Sequence, residues 1–495
     1  MTNNSRGNKS RKNPALHWRR TKILATLGPA SDTDKMIHAL IQAGVNVFRL
    51  NMSHGDHASH QQLFMRIREL ARQQHAQVAI LVDLCGPKIR VGRFVHGELT
   101  LKQHASVVIR CSNRPGENNI IPSQYKNLYK DVKPGERILL DDGNIELKVV
   151  AVKDKDVICR VIYGGQLKDH KGINLPDSRV SVSSFTPGDK RDAKLAIKLG
   201  ADFVALSFVR TEKDVLTLKN YMKRNGASIP VIAKIEKPEA VDNIEAIIKV
   251  SYGIMIARGD LGIELPAEKV PLIQNKLIAL ARIRHRPVIV ATQMMESMIS
   301  HARPTRAEVN DVANAALSGA DAVMLSAETA VGKYPVRTVK TMDTILREVE
   351  INQWLNNRFE DDVKDNLSYE KQTASQPSTR KAIAHAACML ADELKLEGIL
   401  VPTRSGMTAN IISSVRPLAP LLGLSSSLQT CRKLALHWGV VPLTINEVEA
   451  RDWKIMVNTV CKQCKLAKAG SQVLLVSGIN DDPVKNKPVL KIMTV

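Results

Sequence analysis

Eight short apolar runs, each closing on a charged, hydroxyl-bearing or glycine-containing segment, recur at Lys22 to Gly28, Val45 to Asn51, Ala79 to Asp83, Phe203 to Phe208, Val231 to Glu236, Gly253 to Asp260, Val288 to Gln293 and Ala322 to Glu328. Runs of this length, bounded by proline, glycine or charge, read as strands buried on both faces. Helix-length amphipathic stretches lie between most of them, for example Thr33 to Ala43, Pro187 to Leu199, Ala267 to Arg284 and Arg306 to Ser318. Eightfold strand and helix alternation predicts an α/β chain built on a (β/α)8 TIM barrel, whose functional groups collect at the carboxyl ends of the strands. Arg49, Asn51, Asp83, Ser207, Lys234, Glu236, Asp260, Thr292, Ser326 and Glu328 all fall at such ends.

The rhythm breaks once, between Asp83 and Phe185, where short alternating runs (Ala105 to Arg110, Arg137 to Leu140, Ile145 to Val152, Val157 to Val161) carry turn signals at Asp142-Gly143-Asn144 and Gly164-Gly165. An inserted small β-barrel domain is expected there, hanging over the barrel mouth as a lid. A stretch rich in Ser, Gln, Asp and Lys reads as a linker, and an open α/β domain follows it. The expected organisation is a disordered basic arm over 1–20, the barrel over 21–87 and 186–355, the lid over 88–185, the linker over 356–379 and the α/β domain over 380–495.

Lys234, Glu236 and Asp260 are charged groups at the ends of otherwise apolar runs. A glutamate and an aspartate so placed can chelate a hard divalent cation, Mg2+ with Mn2+ as the alternative, which completes its shell with water and substrate oxygens. Lys234 sets a compact positive charge beside it. The alternative is a purely structural Lys–Glu pair.

Several ordered motifs carry a resemblance. Thr21-Lys22-Ile23-Leu24-Ala25-Thr26-Leu27-Gly28-Pro29, Phe48-Arg49-Leu50-Asn51-Met52-Ser53-His54-Gly55, Lys234-Ile235-Glu236, Ala257-Arg258-Gly259-Asp260-Leu261-Gly262, Ala291-Thr292-Gln293-Met294-Met295-Glu296, Arg303-Pro304-Thr305-Arg306-Ala307-Glu308 and Met324-Leu325-Ser326-Ala327-Glu328-Thr329-Ala330 closely resemble the pyruvate kinase family, from about residue 20 to the C-terminus. The resemblance implies phosphoryl transfer from phosphoenolpyruvate to ADP, protonation of the enolate to pyruvate, and a homotetramer. It implies Glu236 and Asp260 as metal ligands, the amides around Ala257, Arg258, Gly259 and Asp260 as the substrate carboxylate site, and Lys234 and Arg49 as stabilisers of the transferring phosphoryl group. Thr292, acting through a water, and Ser326 with Glu328 are implied as proton-relay candidates. Asn51, His54, Arg90 and, from the lid, Lys171 are implied as nucleotide contacts.

One segment departs from the commonest family pattern. Many members read Thr-Lys-Gly-Pro-Glu-Ile-Arg where this chain has Leu84-Cys85-Gly86-Pro87-Lys88-Ile89-Arg90. Those members hold a monovalent cation, usually K+, near the equivalents of Asn51, Ser53, Asp83 and residue 84. The ammonium of Lys88 can replace that cation's electrostatic role and repel a second positive charge, so turnover without K+ is expected. The alternative is that Lys88 points to solvent and the ion still binds. In the last domain, Thr403, Arg404, Ser405, Gly406 and Thr408 lie between a strand and a helix, where the family receives a phosphorylated effector, a sugar or a nucleotide. An arginine often found in that loop is replaced by Met407. A simple Ser-Gly helix start is the other reading.

Seven cysteines at irregular spacing, with no secretory leader, predict a reducing, cytoplasmic setting. Cys461-Lys462-Gln463-Cys464 lacks the second pair that a zinc site needs and reads as two ordinary thiols on a helix. No apolar run is long enough to span a membrane. The net charge of +22 includes seven basic side chains and no acid in residues 1–22. That arm is expected to be a solvated tail, the alternative being contact with nucleic acid or anionic membrane. A catalytically weak binding or regulatory protein of the same fold, using its basic surface, is the second functional reading.

Overall fold

A computed structural model describes residues 18–355, 379–446, 452–478 and 487–495. Nearly all of the expected arm and linker therefore lies outside the described residues. The barrel strands are β1 (Lys22–Thr26), β2 (Val47–Asn51) and β3 (Ala79–Asp83), followed after the insertion by β12 (Phe203–Leu206), β13 (Val231–Ile235), β14 (Gly253–Ala257), β15 (Val288–Ala291) and β16 (Ala322–Leu325). They close in chain order, all parallel, with β16 returning to pair with β1. Their residues are buried almost throughout because the outer helices cover one face and the interior layers fill the other.

The helix start signals act locally. Thr33 caps the helix Asp34–Gln42. Thr186 and Thr305 each form a reciprocal capping box with the residue three further on, Asp189 and Glu308, and so open Pro187–Leu199 and Arg306–Leu317. The stretch expected as one helix from Ala267 divides into a 3-10 turn, Ala267–Lys269, and the helix Val270–Ile283, with Pro271 in its first turn. Asp260 does not lie at a strand end. β14 stops at Ala257, and a seven-residue helix, Arg258–Glu264, begins at once with Asp260 in its first turn.

The insertion contains β4 (Glu98–Leu101), β5 (Ser106–Cys111), β6 (Ile120–Ser123), β7 (Arg137–Leu140), β8 (Ile145–Lys153), β9 (Asp156–Tyr163), β10 (Gly165–Lys168) and β11 (Ile173–Asn174). They form a six-stranded sheet ordered β11-β7-β8-β9-β5-β6 and a two-stranded ribbon of β10 with β4, around their own apolar core. Its connections to the barrel are anchored. Gly86 N–H donates to Asp189 (3.0 Å), Ser184 Oγ donates to the Phe208 carbonyl (2.6 Å) and Arg210 Nη2 donates to the Val182 carbonyl (2.7 Å). Gly86 has φ +67°, and a Cβ there would stand 2.7 Å from the Phe208 ring, so the crossing requires glycine.

The last domain is a five-stranded sheet ordered β19-β18-β17-β20-β21, comprising β17 (Ile399–Pro402), β18 (Leu421–Ser425), β19 (Val440–Thr444), β20 (Gln472–Ser477) and the antiparallel edge strand β21 (Val489–Thr494). It docks on the amino-terminal end of the barrel, where Ala435 and Leu436 join the apolar cluster inside the strands. Arg416 donates to Asp321 (2.9 Å) and to the Gly319 carbonyl (2.6 Å), and its guanidinium lies 4.7 Å from the Trp438 ring centre. Cys461 and Cys464 lie at the end of the helix Trp453–Gln463, both free, with burial pushing their thiols up. Among the described residues no helix is long and apolar enough to cross a membrane.

Lys22 belongs to this junction. Its buried ammonium donates to the Val440 carbonyl (2.7 Å), and burial, then the Arg19 guanidinium, pull its pKa from 10.5 down to about 7. Between those two values the unfolded chain holds the extra proton, so the penalty of burying Lys22 is complete below about pH 7 and fades as pH rises. Lys22→Met is expected to raise the unfolding temperature over the parent at about pH 6, with the gain gone by about pH 10. A gain that does not vary with pH would remove this account.

Candidate active site at the barrel mouth

Five charged side chains from three strand ends and one helix, Arg49, Asp83, Lys234, Glu236 and Asp260, meet under the inserted domain. Register places Asn51 opposite Asp83 on the paired strands β2 and β3, and β3 pairs with β12, which brings Ser207 alongside. Asp83 is buried, and its Oδ2 accepts from Arg49 Nε at 2.7 Å, with Arg49 Nη2 also at 2.7 Å. Arg49 Nη1 reaches Thr26 Oγ1 (3.1 Å). Lys234 Nζ donates to Ser207 Oγ (2.8 Å) and lies 2.8 Å from Glu236 Oε1 and 3.6 Å from Asp83 Oδ2. Ser207 passes the chain on by donating to the Leu84 carbonyl (2.7 Å).

Burial works against the Lys234 ammonium, but the carboxylates of Asp83 and Glu236 outweigh it and hold its pKa above the ordinary lysine value. Lys234 is therefore charged at neutral pH. Glu236 is 1% exposed and its Oε2 accepts from the Phe208 amide (2.6 Å). Burial pushes its carboxyl up, Lys234 pulls it down and Asp260 pushes it up again. The repulsion between Glu236 and Asp260 is what a cation between them would relieve. Hard oxygen donors, one half-exposed to the cleft, suit Mg2+, which takes one or two carboxylates and leaves its other positions to water and substrate. Among the described residues no group of three or more His, Cys, Asp or Glu is placed to hold a metal ion.

Arg258 turns away from the cleft. Its Nη1 and Nη2 donate to the two Asp311 carboxylate oxygens at 2.6 Å each, and Nη2 also donates to the Thr292 carbonyl (2.7 Å), which fixes the helix Arg258–Glu264 against Arg306–Leu317. The Gly259 amide donates to Thr292 Oγ1 (2.7 Å), and that hydroxyl donates to the Ala291 carbonyl (2.6 Å). Thr292 and Gln293 both adopt positive φ, 69° and 55°, which ends β15 and turns the hydroxyl inward. Glu328 is buried, with Oε2 accepting from the Ser326 amide (2.6 Å) and Oε1 from the Met295 amide (3.2 Å). Burial raises its pKa. Its carboxylate holds two backbone amides in place, including that of Ser326.

Not every residue expected at the site converges on it. His54 is exposed and contributes its carbonyl to His60 Nε2 (2.7 Å). Asn51 Oδ1 accepts from the Ser53 amide (3.2 Å). Arg90 Nη1 donates to the His170 carbonyl (3.0 Å), and Lys171 Nζ is held by Asp141 at 2.7 Å within the inserted domain. Lys88 is exposed and lines the cleft with Asp142, Asn174, Lys237 and Asp260. In the last domain the Gly406 amide donates to Thr403 Oγ1 (3.0 Å), and Gly406, at φ 88°, opens the helix Met407–Ser414. Arg404 and Ser405 are exposed, Thr408 is buried, and the Arg404 carbonyl accepts from Thr430 Oγ1 (2.7 Å). Sequence reasoning put Ser207 at the mouth without a role and missed the Phe208 amide and Arg380, whose Nη1 is 3.8 Å from the Met407 sulfur. No sequence signal joins Arg380 to that loop, because 27 residues separate the two.

Comparison with known proteins agrees with this geometry. The family model for the pyruvate kinase barrel domain matches residues 18–339, and that for the pyruvate kinase alpha/beta domain matches residues 381–493. The chain is 41% identical over 467 residues to a pyruvate kinase of Mycobacterium tuberculosis, covering 93% of this chain and 95% of that one. It is 44% identical over 434 residues to a pyruvate kinase of Corynebacterium efficiens, covering 88% and 89%. A crystal structure of a pyruvate kinase from Cryptosporidium parvum matches with a TM-score of 0.89 at 33% identity, over 97% of both chains. With the two domain matches, the full-length relatives and the closed barrel in accord, the chain belongs to the pyruvate kinase family.

Proposed function

We propose that the protein transfers the phosphoryl group of phosphoenolpyruvate to ADP, with the chemistry at the mouth formed by Arg49, Asp83, Lys234, Glu236, Asp260 and Thr292. The observation that carries this reading is the Lys234 ammonium, buried and kept charged between Asp83 and Glu236. Lys234 and Arg49 stabilise the equatorial phosphoryl oxygens as the bond from phosphorus to the enol oxygen breaks and a bond to the terminal ADP oxygen forms. Asp83 positions Arg49, and Ser207 positions Lys234. Glu236 and Asp260 hold the divalent cation, Mg2+ or Mn2+, which when bound supplies Lewis acidity to the phosphoryl and enolate oxygens. The amides around Ala257, Arg258, Gly259 and Asp260 are the donors for the substrate carboxylate, that of Gly259 on release from Thr292 Oγ1. Thr292, acting through a water, and Ser326 with Glu328 are the candidates for delivering a proton to the enolate carbon, the Thr292 hydroxyl standing between the Gly259 amide and the Ala291 carbonyl and the Glu328 oxygens between two amides.

Asn51, His54, Arg90 and Lys171 form the nucleotide side of this reading, with Lys171 brought in by the lid. Regulation by a phosphorylated sugar or nucleotide at Thr403, Arg404, Ser405, Gly406 and Thr408, assembly as a homotetramer and a cytoplasmic location complete it. Added sugar and nucleotide phosphates in the turnover assay test the effector, and sedimentation mass tests the assembly.

Independence from K+ rests on Lys88, an exposed residue that lines the cleft. One observation favours the alternative, that K+ still binds: Asp83 Oδ1 is buried and has no hydrogen-bond partner among the described residues, and a K+ ion would satisfy it. The experiment is pyruvate formation from phosphoenolpyruvate and ADP with Mg2+, in K+ or in tetramethylammonium alone. Equal rates are expected, and Lys88→Glu is expected to need K+ to regain about tenfold of lost activity, the scale of one missing charge near a phosphoryl group. A collapse of parent activity without K+ would reject the role of Lys88, and absence of pyruvate in both salts would reject the kinase.

A further inference from the structure

The inserted domain rests on the same short helix that carries Asp260. Its turn Asp142-Gly143-Asn144 lies over Ile263, whose Cγ2 would be 3.9 Å from a Cβ placed on Gly143. Beside it, Asn174 in β11 donates through Nδ2 to Glu264 Oε1 (3.0 Å). The same oxygen accepts from Lys237 Nζ at 2.6 Å, and Lys237 is the residue after Glu236. One carboxylate oxygen therefore joins the lid, the strand end that carries Glu236 and the helix that carries Asp260.

Stability alone does not call for an acid here. Glu264 is the last residue of its helix, where the macrodipole disfavours negative charge, and it is 4% exposed. Its Oε2 is buried without a hydrogen-bond partner among the described residues. A buried acid with one oxygen unsatisfied is costly, and apolar side chains in place of both Glu264 and Lys237 would fill the space at lower cost. The opposite end of the helix is already tied down by Arg258 on Asp311 and the Thr292 carbonyl. Asp260 thus sits on a segment fixed to the barrel at its start and to the lid at its end.

We propose that Glu264 is a positioning residue that couples seating of the lid to the cation site: through Asn174 and Lys237 it sets the helix bearing Asp260 relative to Glu236. The proposal rests on Glu236 and Asp260 holding the divalent cation. Linkage is reciprocal, so a seated lid tightens cation binding and a bound cation protects the lid.

The test uses the full chain without substrate. Mn2+ affinity is read by electron paramagnetic resonance, and hydrogen exchange of residues 141–175 is followed with and without Mn2+. Asn174→Ala removes only the lid bond and leaves the Lys237–Glu264 pair intact. Glu264→Gln removes the charge, and the double variant tests coupling. Each single variant is expected to weaken Mn2+ binding about tenfold, the usual range for residues behind metal ligands. The double variant should be no weaker than the poorer single, Mn2+ should no longer protect the lid, and Asn174→Gln, which keeps an amide donor, should recover part of the affinity. At saturating Mg2+, turnover should fall far less than apparent metal affinity. Unchanged Mn2+ affinity in Asn174→Ala, or additive losses in the double variant, would overturn the coupling. Glu236→Gln separates the two ideas. Binding abolished there but normal in Asn174→Ala sinks only the coupling, whereas binding undiminished in Glu236→Gln sinks the cation reading and the coupling with it.

Discussion

Lys234→Met is expected to lower kcat for pyruvate formation by about a thousandfold or more, equivalent to about 4 kcal/mol of transition-state stabilisation. The ammonium is 12% exposed and lies 2.8 Å from Ser207 Oγ and from Glu236 Oε1. Preorganised in this way, it needs no reorientation as charge develops on the phosphoryl oxygens. Methionine preserves most of the side-chain volume, so the loss isolates the charge from the packing. KM for phosphoenolpyruvate should change far less than kcat, because the interaction strengthens chiefly in the transition state. Retention of more than about a tenth of parental kcat would remove Lys234 from the chemistry. The cluster of Arg49, Asp83, Lys234 and Glu236 would then be structural.

Glu236→Gln is expected to reduce kcat/KM by about a thousandfold at fixed Mg2+, the scale of removing most of a bound cation's contribution to charge stabilisation. The amide matches the carboxylate in shape and can still accept from the Phe208 amide, 2.6 Å away in the parent. It cannot pair with the Lys234 ammonium or carry the negative charge that, with Asp260, attracts a divalent ion. Raising Mg2+ should recover part of the activity of this variant and none of that of Lys234→Met. If Mg2+ titration curves of Glu236→Gln and parent coincide, Glu236 does not hold the ion, and its raised pKa reflects burial and its neighbours alone.

Much of the architecture was legible because burial is written locally. The helix Pro187–Leu199 and the strand Arg137–Leu140 have the limits that capping residues and alternation predict. The helix carrying Asp260 was not legible. Ala257-Arg258-Gly259-Asp260-Leu261-Gly262 has glycines at two of its six positions, and it follows a strand with no intervening loop, so neither propensity nor a cap announces a helix. At the site, the identities of Arg49, Lys234, Glu236 and Asp260 stood out because charge at the end of an apolar run is costly unless it is used. The direction of their side chains did not. Arg258 was expected at the substrate through its backbone, an expectation silent on its guanidinium, which anchors the helix to Asp311. Lys88 was legible as an added positive charge, but its place in the cleft beside Asp142 and Asp260 was not.

By itself the sequence determined the alternation that closes a parallel barrel, the insertion after the third strand and the set of charged residues at the strand ends, since periodicity and end-of-run charge depend on neighbours a few positions away. Only the tertiary structure decided which of those charges meet. Asp83 Oδ2 serves Arg49 and Lys234 together, and Ser207 ties Lys234 to Leu84, because β3 pairs with β12 across the whole inserted domain. Glu264 joins the inserted domain to the helix of Asp260 for the same reason: Asn174 and Glu264 are 90 residues apart in the chain and 3.0 Å apart in space. Electrostatic partners are chosen by the distance between atoms in a low-dielectric interior, and chain closure sets that distance.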